Sequence, residues 1–473
     1  MPSSPVLPHA KAMEDAAEHQ AWNGRTRLTA ATIGLAAALT NFDVTSVVVV
    51  LPSIGTSLDI DVASWAWIID AYSIAFTATL LVAGALADRF GRRRTLLIGN
   101  AGFLVTSLAC SLAWNSALFL AARAAQGAAA AFLVTGGFAS ITTAFPAPEG
   151  RARAFGIAGV ASGVAMALGP SLGGLIGSGL GWRWIFLANL PLCVLITLLV
   201  PRLVAERRDS TDKPLDLLGV AILTLAIGLI IQAILEARHA PIHMAIGLAV
   251  GAGLVAWFAL RQHRQSQPML DPAIFASRPM IGVTALLMAV SVGYWAVLVY
   301  LPLFLGTAFG WTTEAAGLAM LTATLPMLVV PPFGGRLAPR LGWRRLFAAA
   351  LALIAIGGAA LALSALVDLA SARAFAFAGM ALIGIGAAMS HPQLSGAVIA
   401  LAPLETSGMA SALTVIARQA GFAVGVAALG ALTPTTFAVT GFAWLFGAAA
   451  VAASCGMLAC RLLPSTAGGS IAP

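Results

Sequence analysis

Five side chains able to hold charge or a proton, Asp43, Asp70, Arg123, His391 and Arg418, fall inside long apolar runs of this 473-residue chain. An ionised group in hydrocarbon costs about 2.5–3.5 kcal/mol even on lenient insertion scales, so each marks a position where charge is put to use. A carboxylate in a low-dielectric cavity beside an arginine is a group whose proton can be bound and released as its surroundings change. That chemistry couples a proton to movement, and no bond-making set accompanies it. There is no H-E-x-x-H and no Cys/His cluster, and Cys110, Cys193, Cys455 and Cys460 lack C-x-x-C spacing. Gly169-Pro170-Ser171-Leu172-Gly173 fits G-x-S-x-G, yet no strand precedes it and no His/Asp pair accompanies it. The sequence therefore reads as not an enzyme, with no catalytic residue, no metal and no cofactor.

The elements that must position these groups follow from composition. The chain is 60% apolar and 9% charged with a mean hydropathy of +0.93, against about 45–50% and about 25% for a soluble domain. Apolar windows fall near 28–52, 64–87, 95–114, 117–145, 154–178, 184–204, 215–236, 242–260, 280–305, 313–334, 345–367, 374–402, 407–432 and 436–460. Each is long enough to cross a bilayer as a helix, which gives fourteen transmembrane helices. Basic residues retained at cytoplasmic span ends test the count. Arg89, Arg92, Arg93, Arg94, Arg151, Arg153, Arg202, Arg207, Arg208, Lys213, Arg261, Arg264, Arg278, Arg336, Arg340, Arg344 and Arg345 all fall on one side, and only Arg183, Arg238 and Arg373 on the other. Both termini are expected to be cytoplasmic, in the plasma (inner) membrane. The net charge of +8 is spread over short loops as a topology signal, so no nucleic-acid partner is implied.

An internal repeat sets the architecture. Gly84-Ala-Leu-Ala-Asp88-Arg-Phe-Gly91-Arg-Arg-Arg94 after the second window recurs after the tenth as Gly335-Arg-Leu-Ala-Pro339-Arg-Leu-Gly342-Trp-Arg-Arg345. Parallel repeats of six helices around a midplane site are a transporter plan. The expected fold is all-α and integral to the membrane: two six-helix bundles related by a pseudo-two-fold axis along the membrane normal, plus two inserted helices. The expected divisions are a tail 1–27, a bundle 28–205, linker segments with the inserted pair 206–279, a bundle 280–463 and a tail 464–473. If the first span runs outward, Asp43, Asp70 and Arg123 share a depth of roughly 9–14 Å from the outer end, which predicts one polar cluster. Asp70 equally fits an outer-end carboxylate that reaches water, and Arg123 equally fits a structural counter-ion.

At these motifs the chain resembles the major facilitator superfamily, in particular its fourteen-span drug:proton antiporter branch. The signature loop is present with Gly84, Asp88, Arg89, Gly91 and Arg92 in place. Asp43-Val-Thr45-Ser-Val47-Val-Val49-Val-Leu51-Pro52 is similar to D-x-T-x-V-x-V-x-L-P, with Val48 where the family commonly has Asn. Arg123-Ala-Ala-Gln126-Gly127 is similar to R-x-x-Q-G, and Gly163, Gly169, Pro170, Gly173 and Gly174 fit the antiporter motif with its G-P-x-x-G-G core. The resemblance implies proton coupling through Asp43, with Asp70 second and Arg123 assisting transfer. It also implies a gate in which Asp88 faces the start of the penultimate helix at Thr406-Ser407-Gly408.

The resemblance implies export of small amphipathic compounds driven by protons, a multidrug efflux activity, with a dedicated metabolite exporter or a proton-coupled importer as the alternatives within the same fold. A non-transporting receptor would need an extramembrane domain, and no loop is long enough for one. Without a Walker A sequence, ATP is not the driver. Substrate-cavity candidates are Gln126, Tyr294, Trp295, Tyr300, His391, Gln393, Arg418 and Gln419. The partners expected are a small-molecule substrate, protons and lipid, and the chain is expected to act as a monomer.

Overall fold

The computed structural model describes residues 22–61, 64–206, 216–235, 240–265, 277–401, 407–432 and 439–464. The described residues form helices and the short connections between them, in the order α1 (Gly24–Ser57), α2 (Ala66–Phe90), α3 (Arg92–Leu112), α4 (Ser116–Ala144), α5 (Pro148–Gly179), α6 (Arg183–Leu203), α7 (Leu217–Leu235), α8 (Pro241–Arg264), α9 (Arg278–Phe309), α10 (Thr313–Val329), α11 (Pro331–Ser364), α12 (Leu369–Leu401), α13 (Ser407–Leu432) and α14 (Val439–Ala459). Eleven helices among the described residues are long and apolar enough to cross a membrane, and shorter apolar stretches occupy Ala66–Leu80, Ala221–Ile234 and Thr313–Val329. Backbone N–H and C=O groups have no water to bond in hydrocarbon, so a continuous helix is the only open-chain way to satisfy them.

The repeated motif has a backbone reason. α2 passes into α3 through Gly91 alone, at φ 110°, and the helical rod of α11 is interrupted only at Gly342, at φ 75°. Both glycines occupy the same motif position and adopt a left-handed conformation that a side chain resists. Glu206, just beyond α6, lies where a Cβ on Gly91 would stand. The tenth and eleventh windows consequently differ from the sequence reading. The tenth is broken into Thr313–Ala319, Leu321–Thr324 and Pro326–Val329, while its far end continues as helix up to Gly342. Pro326, Pro331 and Pro332 each remove a ladder donor in this stretch.

In the first half α1 packs on α5 and α6, and α4 packs on α2 and α3; in the second, α11 packs on α12 and α14. The halves meet along two seams, α5 with α10 and α2 with α13. The α7–α8 hairpin leans on the second seam through α7, whereas α8 is largely uncovered. Asp216 anchors that hairpin. It caps α7 by accepting from the Gly219 N–H at 2.8 Å, and it accepts from Gln262 Nε2 at 2.5 Å and pairs with Arg261 on α8. Burial raises the Asp216 carboxyl's pKa, but the donors Arg261, Gly219 and Gln262 outweigh burial and hold it below the ordinary aspartate value. α9 carries a π-helical turn at Ser291–Ala296, packed against α13 and α14.

Candidate functional site

Asp43 sits on α1 with no accessible surface and is the centre of a four-helix polar network. Its Oδ2 accepts from Arg123 Nη1 at 2.7 Å, and its Oδ1 accepts from Gln126 Nε2 at 3.0 Å and from Asn189 Nδ2 at 2.8 Å. Gln126 Nε2 also donates to Ser107 Oγ at 2.9 Å, and its Oε1 accepts from Arg123 Nη1 at 2.7 Å. Arg123 donates through Nε to the Ile68 carbonyl at 3.3 Å, and its guanidinium stands 4.6 Å from the Tyr72 ring centroid and 5.7 Å from that of Phe186. The close approach of α4 to α2 that lets Arg123 reach this far depends on Gly127, whose absent side chain would strike the Tyr72 backbone. A buried pair of opposite charges with its remaining acceptor sites filled is neutral as a unit and tolerable in low dielectric. Arg123 Nη2 and Asn189 Oδ1 are left without a hydrogen-bond partner.

Asp70 does not join this network, contrary to the expectation of one cluster. It is fully buried on α2, and neither carboxylate oxygen has a hydrogen-bond partner. It lies within electrostatic reach of the Tyr300 phenol across the seam between the halves. The reason is angular. Depth along a span fixes a level in the membrane, whereas the side chain's direction around the helix decides which neighbours it meets.

The cavity candidates divide. Gln126 is consumed by the Asp43 network, and Tyr294 and Tyr300 are buried with hydroxyls donating to the Ala323 and Val426 carbonyls at 3.1 and 2.5 Å. These three do not face open space. His391 on α12, Arg418 on α13 and Trp295 on the π-turn of α9 do come together. Arg418 Nη1 is 3.0 Å from His391 Nε2, and the Trp295 and His391 rings are 5.7 Å apart. An arginine only donates, so Nε2 is the acceptor and His391 carries its hydrogen on Nδ1. Gln393 lies beside Gly334 and Gly335, and Gln419 is half-buried. A cleft lined by Val44, Thr45, Pro170, Trp295, Met320 and Phe422 joins the two halves next to this group.

The glycines of α5 set how the halves meet. A Cβ on Gly174 would stand 2.7 Å from the Thr313 carbonyl oxygen and one on Gly317 2.6 Å from that of Pro170. Ser171 Oγ donates to the Gly317 carbonyl at 3.0 Å and Thr324 Oγ1 to that of Ala167 at 2.7 Å. Gly169 and Gly173 face α1 at Thr45 and Ser46, and Gly163 meets α10 near Leu328. Toward the other end of α5, Gly156 and Gly159 have nothing against them, and Val160 is 61% exposed. The seam is closed at the Gly174 end and open toward Pro148.

In the motif loop, Arg92 donates to Thr142 and Thr143 of α4 at 3.1 and 2.5 Å, and Arg93 pairs with Glu206 at 3.6 Å. These contacts stay within the first half. Arg89 is exposed and stacks over Phe90, and Gly84 approaches only Thr135. Residues 402–406 and the side chains of Asp88 and of 407–413 lie outside what the structure describes, so the expected gate contact between Asp88 and Thr406-Ser407-Gly408 falls there.

Sequence comparison matches the Major Facilitator Superfamily to residues 33–426 and, overlapping, 283–472. The chain belongs to the Major Facilitator Superfamily. It is accordingly a membrane transporter and not an enzyme. Among its relatives, multidrug resistance protein Stp of Mycobacterium tuberculosis is 30% identical over 419 residues, covering 87% of this chain and 77% of Stp. Drug efflux pump JefA of the same organism is 31% identical over 412 residues, covering 86% and 80%. The fold also matches a solved peptide transporter POT in complex with sulfate, with a TM-score of 0.70, 16% identity and coverage of 95% and 99%. Asn189, Ser107 and Tyr72 complete this network without a motif of their own in the sequence. The amide of Asn189, alone in the apolar run Trp184–Leu192, was the available signal.

Proposed function

We propose that the chain is a proton-coupled exporter of small amphipathic compounds, a drug:proton antiporter of the inner membrane. The observation that carries this reading is the contrast between two buried carboxylates in one half. Asp43 is compensated by Arg123 and two amides, whereas Asp70 has no partner at a seam between the halves. An uncompensated carboxylate is costly to bury unless it carries a proton. Asp70 therefore holds the transported proton while its seam is closed, and Asp43 with Arg123 is the coupled pair whose break accompanies reorientation. This reverses the order in which the sequence ranked the two acids.

In this reading the eleven apolar helices and three shorter stretches make fourteen spans, in a bundle 28–205, an inserted pair within 206–279 and a bundle 280–463, with both termini cytoplasmic. The closed Gly174 end then faces outward and the Pro148 end faces the cytoplasm, so the conformation is inward-facing. Protonation of Asp70 from outside lets the outer end close, and release inside follows arrival of substrate from the cytoplasm. Of the antiporter-motif residues, Pro170 and Gly174 form the seam that seals the outer end, Gly163 faces the second half further along α5, and Gly169 and Gly173 let α5 pack on α1. Gly84, Asp88, Arg89, Gly91 and Arg92 form the inner gate, and Trp295, His391, Gln393, Arg418 and Gln419 line the cavity. A relative named as a drug efflux pump, JefA, and one named as a multidrug resistance protein, Stp, support the outward direction. Uptake of fluorescent drugs into energised inverted vesicles tests it: protonophore-sensitive uptake that Asp70→Asn abolishes is expected, and uptake insensitive to protonophore overturns it.

A further inference from the structure

The second half carries a cation that nothing among the described residues neutralises. Arg418 sits near the middle of α13, deep between helices yet only half-buried, and its one side-chain partner is the neutral acceptor His391. Asp43 is committed to Arg123, and Asp70 stands beside Tyr300. Trp295 presents a second unused donor, since its buried indole Nε1 has no hydrogen-bond partner. The π-turn that displays Trp295 is held against Arg418 itself, because Ser291 Oγ donates to the Arg418 carbonyl at 3.0 Å and Gly421 and Gly425 pack directly on Ser291, Val292 and Ala296. A π-turn inside an α-helix frequently marks a binding site. Both donors border His391, Arg418 through its hydrogen bond and Trp295 through its ring, and Trp295 also lines a narrow cleft with Val44, Pro170, Met320 and Phe422. Lipophilic cations would need the reverse arrangement of charge.

We propose that Arg418, oriented by His391 and joined by the indole N–H of Trp295, is a subsite for the anionic or strongly accepting group of the transported compound. Its substrates are amphipathic organic acids, bound through the carboxylate on Arg418. This rests on the exporter reading above and specifies its substrate class. A guanidinium matches a carboxylate in bidentate geometry, and Trp295 adds a neutral hydrogen bond that an ester also accepts. Exchange of one inbound proton for one outbound carboxylate moves two positive charges inward, so export of an acid is driven by membrane potential as well as by the proton gradient.

The test is equilibrium binding of three matched fluorophores to the full-length protein in nanodiscs: a coumarin carboxylate, its methyl ester and its trimethylammonium analogue. The carboxylate is expected to bind at least about tenfold more tightly than the cation. Arg418→Gln removes that preference, Arg418→Lys restores part of it, and Trp295→Phe weakens carboxylate and ester alike by about threefold to tenfold while sparing the cation. Tighter binding of the cation, absence of binding by all three, or a carboxylate preference unchanged in a folded Arg418→Gln overturns the proposal. Protonophore-sensitive uptake is read separately in inverted vesicles. A protein that binds the carboxylate as described but transports nothing keeps the subsite and loses the exporter reading. One that exports the cation and binds no carboxylate does the opposite.

Discussion

At the scale of single residues, what distinguishes this protein is how it accounts for charge inside a bilayer. Asp43 and Arg123 meet at 2.7 Å with no accessible surface on either side chain. Removing one partner strands the other, a cost of about 3–5 kcal/mol. Arg123→Gln is therefore expected to lower the thermal midpoint of the detergent-solubilised protein substantially, and the double variant Asp43→Asn/Arg123→Gln to recover much of the loss. A double variant as unstable as the two single losses added together would show that the pair is not coupled. Asp216 makes a pH-dependent prediction outside the membrane. Its carboxyl is held below the ordinary value of about 3.9, so its contribution is complete above that value and is lost as pH falls through the depressed one. Amide exchange at the first turn of α7, corrected for intrinsic rate, should be unchanged between about pH 7 and 5, and should rise only below about pH 4. Asp216→Asn should show fast exchange at every pH. The ionisable members of the site were legible in the sequence because a charge in an apolar run is expensive and rare. Asn189, Ser107 and Tyr72 were not, because neutral polar and aromatic residues are cheap enough in spans to be common.

At the scale of elements, the fold depends on where helices can touch. The α5–α10 seam closes only because Gly174 and Gly317 lack side chains, with carbonyl oxygens 2.7 and 2.6 Å from where a Cβ would sit. Gly317→Val should hold that end apart. Ser171, 5% exposed at the seam, provides the reporter. In a background without the native cysteines, Ser171→Cys should resist a membrane-impermeant maleimide applied from outside and should become reactive when Gly317→Val is added. Equal labelling of the two would place the seam elsewhere. The helices themselves were legible from hydropathy, and the repeat marked Gly91 and Gly342 as equivalent before their backbones were known. The broken α10 was not read, although Pro326, Pro331 and Pro332 are plain in the sequence, because a window of apolar residues averages over lost ladder bonds. The π-turn at Ser291–Ala296 left no signal of its own. It follows from the packing of α9 against α11, α13 and α14, where Gly293 faces Ile354 of α11 and Ala453 of α14, and such tertiary contact has no local signature.

At the scale of the whole molecule, two halves touch at one end and part toward the other, and an unpartnered acid lies in a seam between them. Burial of an unpartnered carboxylate is inexpensive only with a proton in place, and on the proposed reading this is what ties the proton to the conformation. The Asp43–Arg123 pair ties α1 to α4 within the first half, and the proposed substrate subsite at Arg418 lies in the second. The measurement that tests this most directly is drug uptake into energised inverted vesicles by wild type, Asp70→Asn and Asp43→Asn at matched expression, each with and without a protonophore. The account predicts protonophore-sensitive uptake by wild type, none by Asp70→Asn, and impaired but still protonophore-sensitive uptake by Asp43→Asn. Wild-type-like, protonophore-sensitive uptake by Asp70→Asn would contradict it.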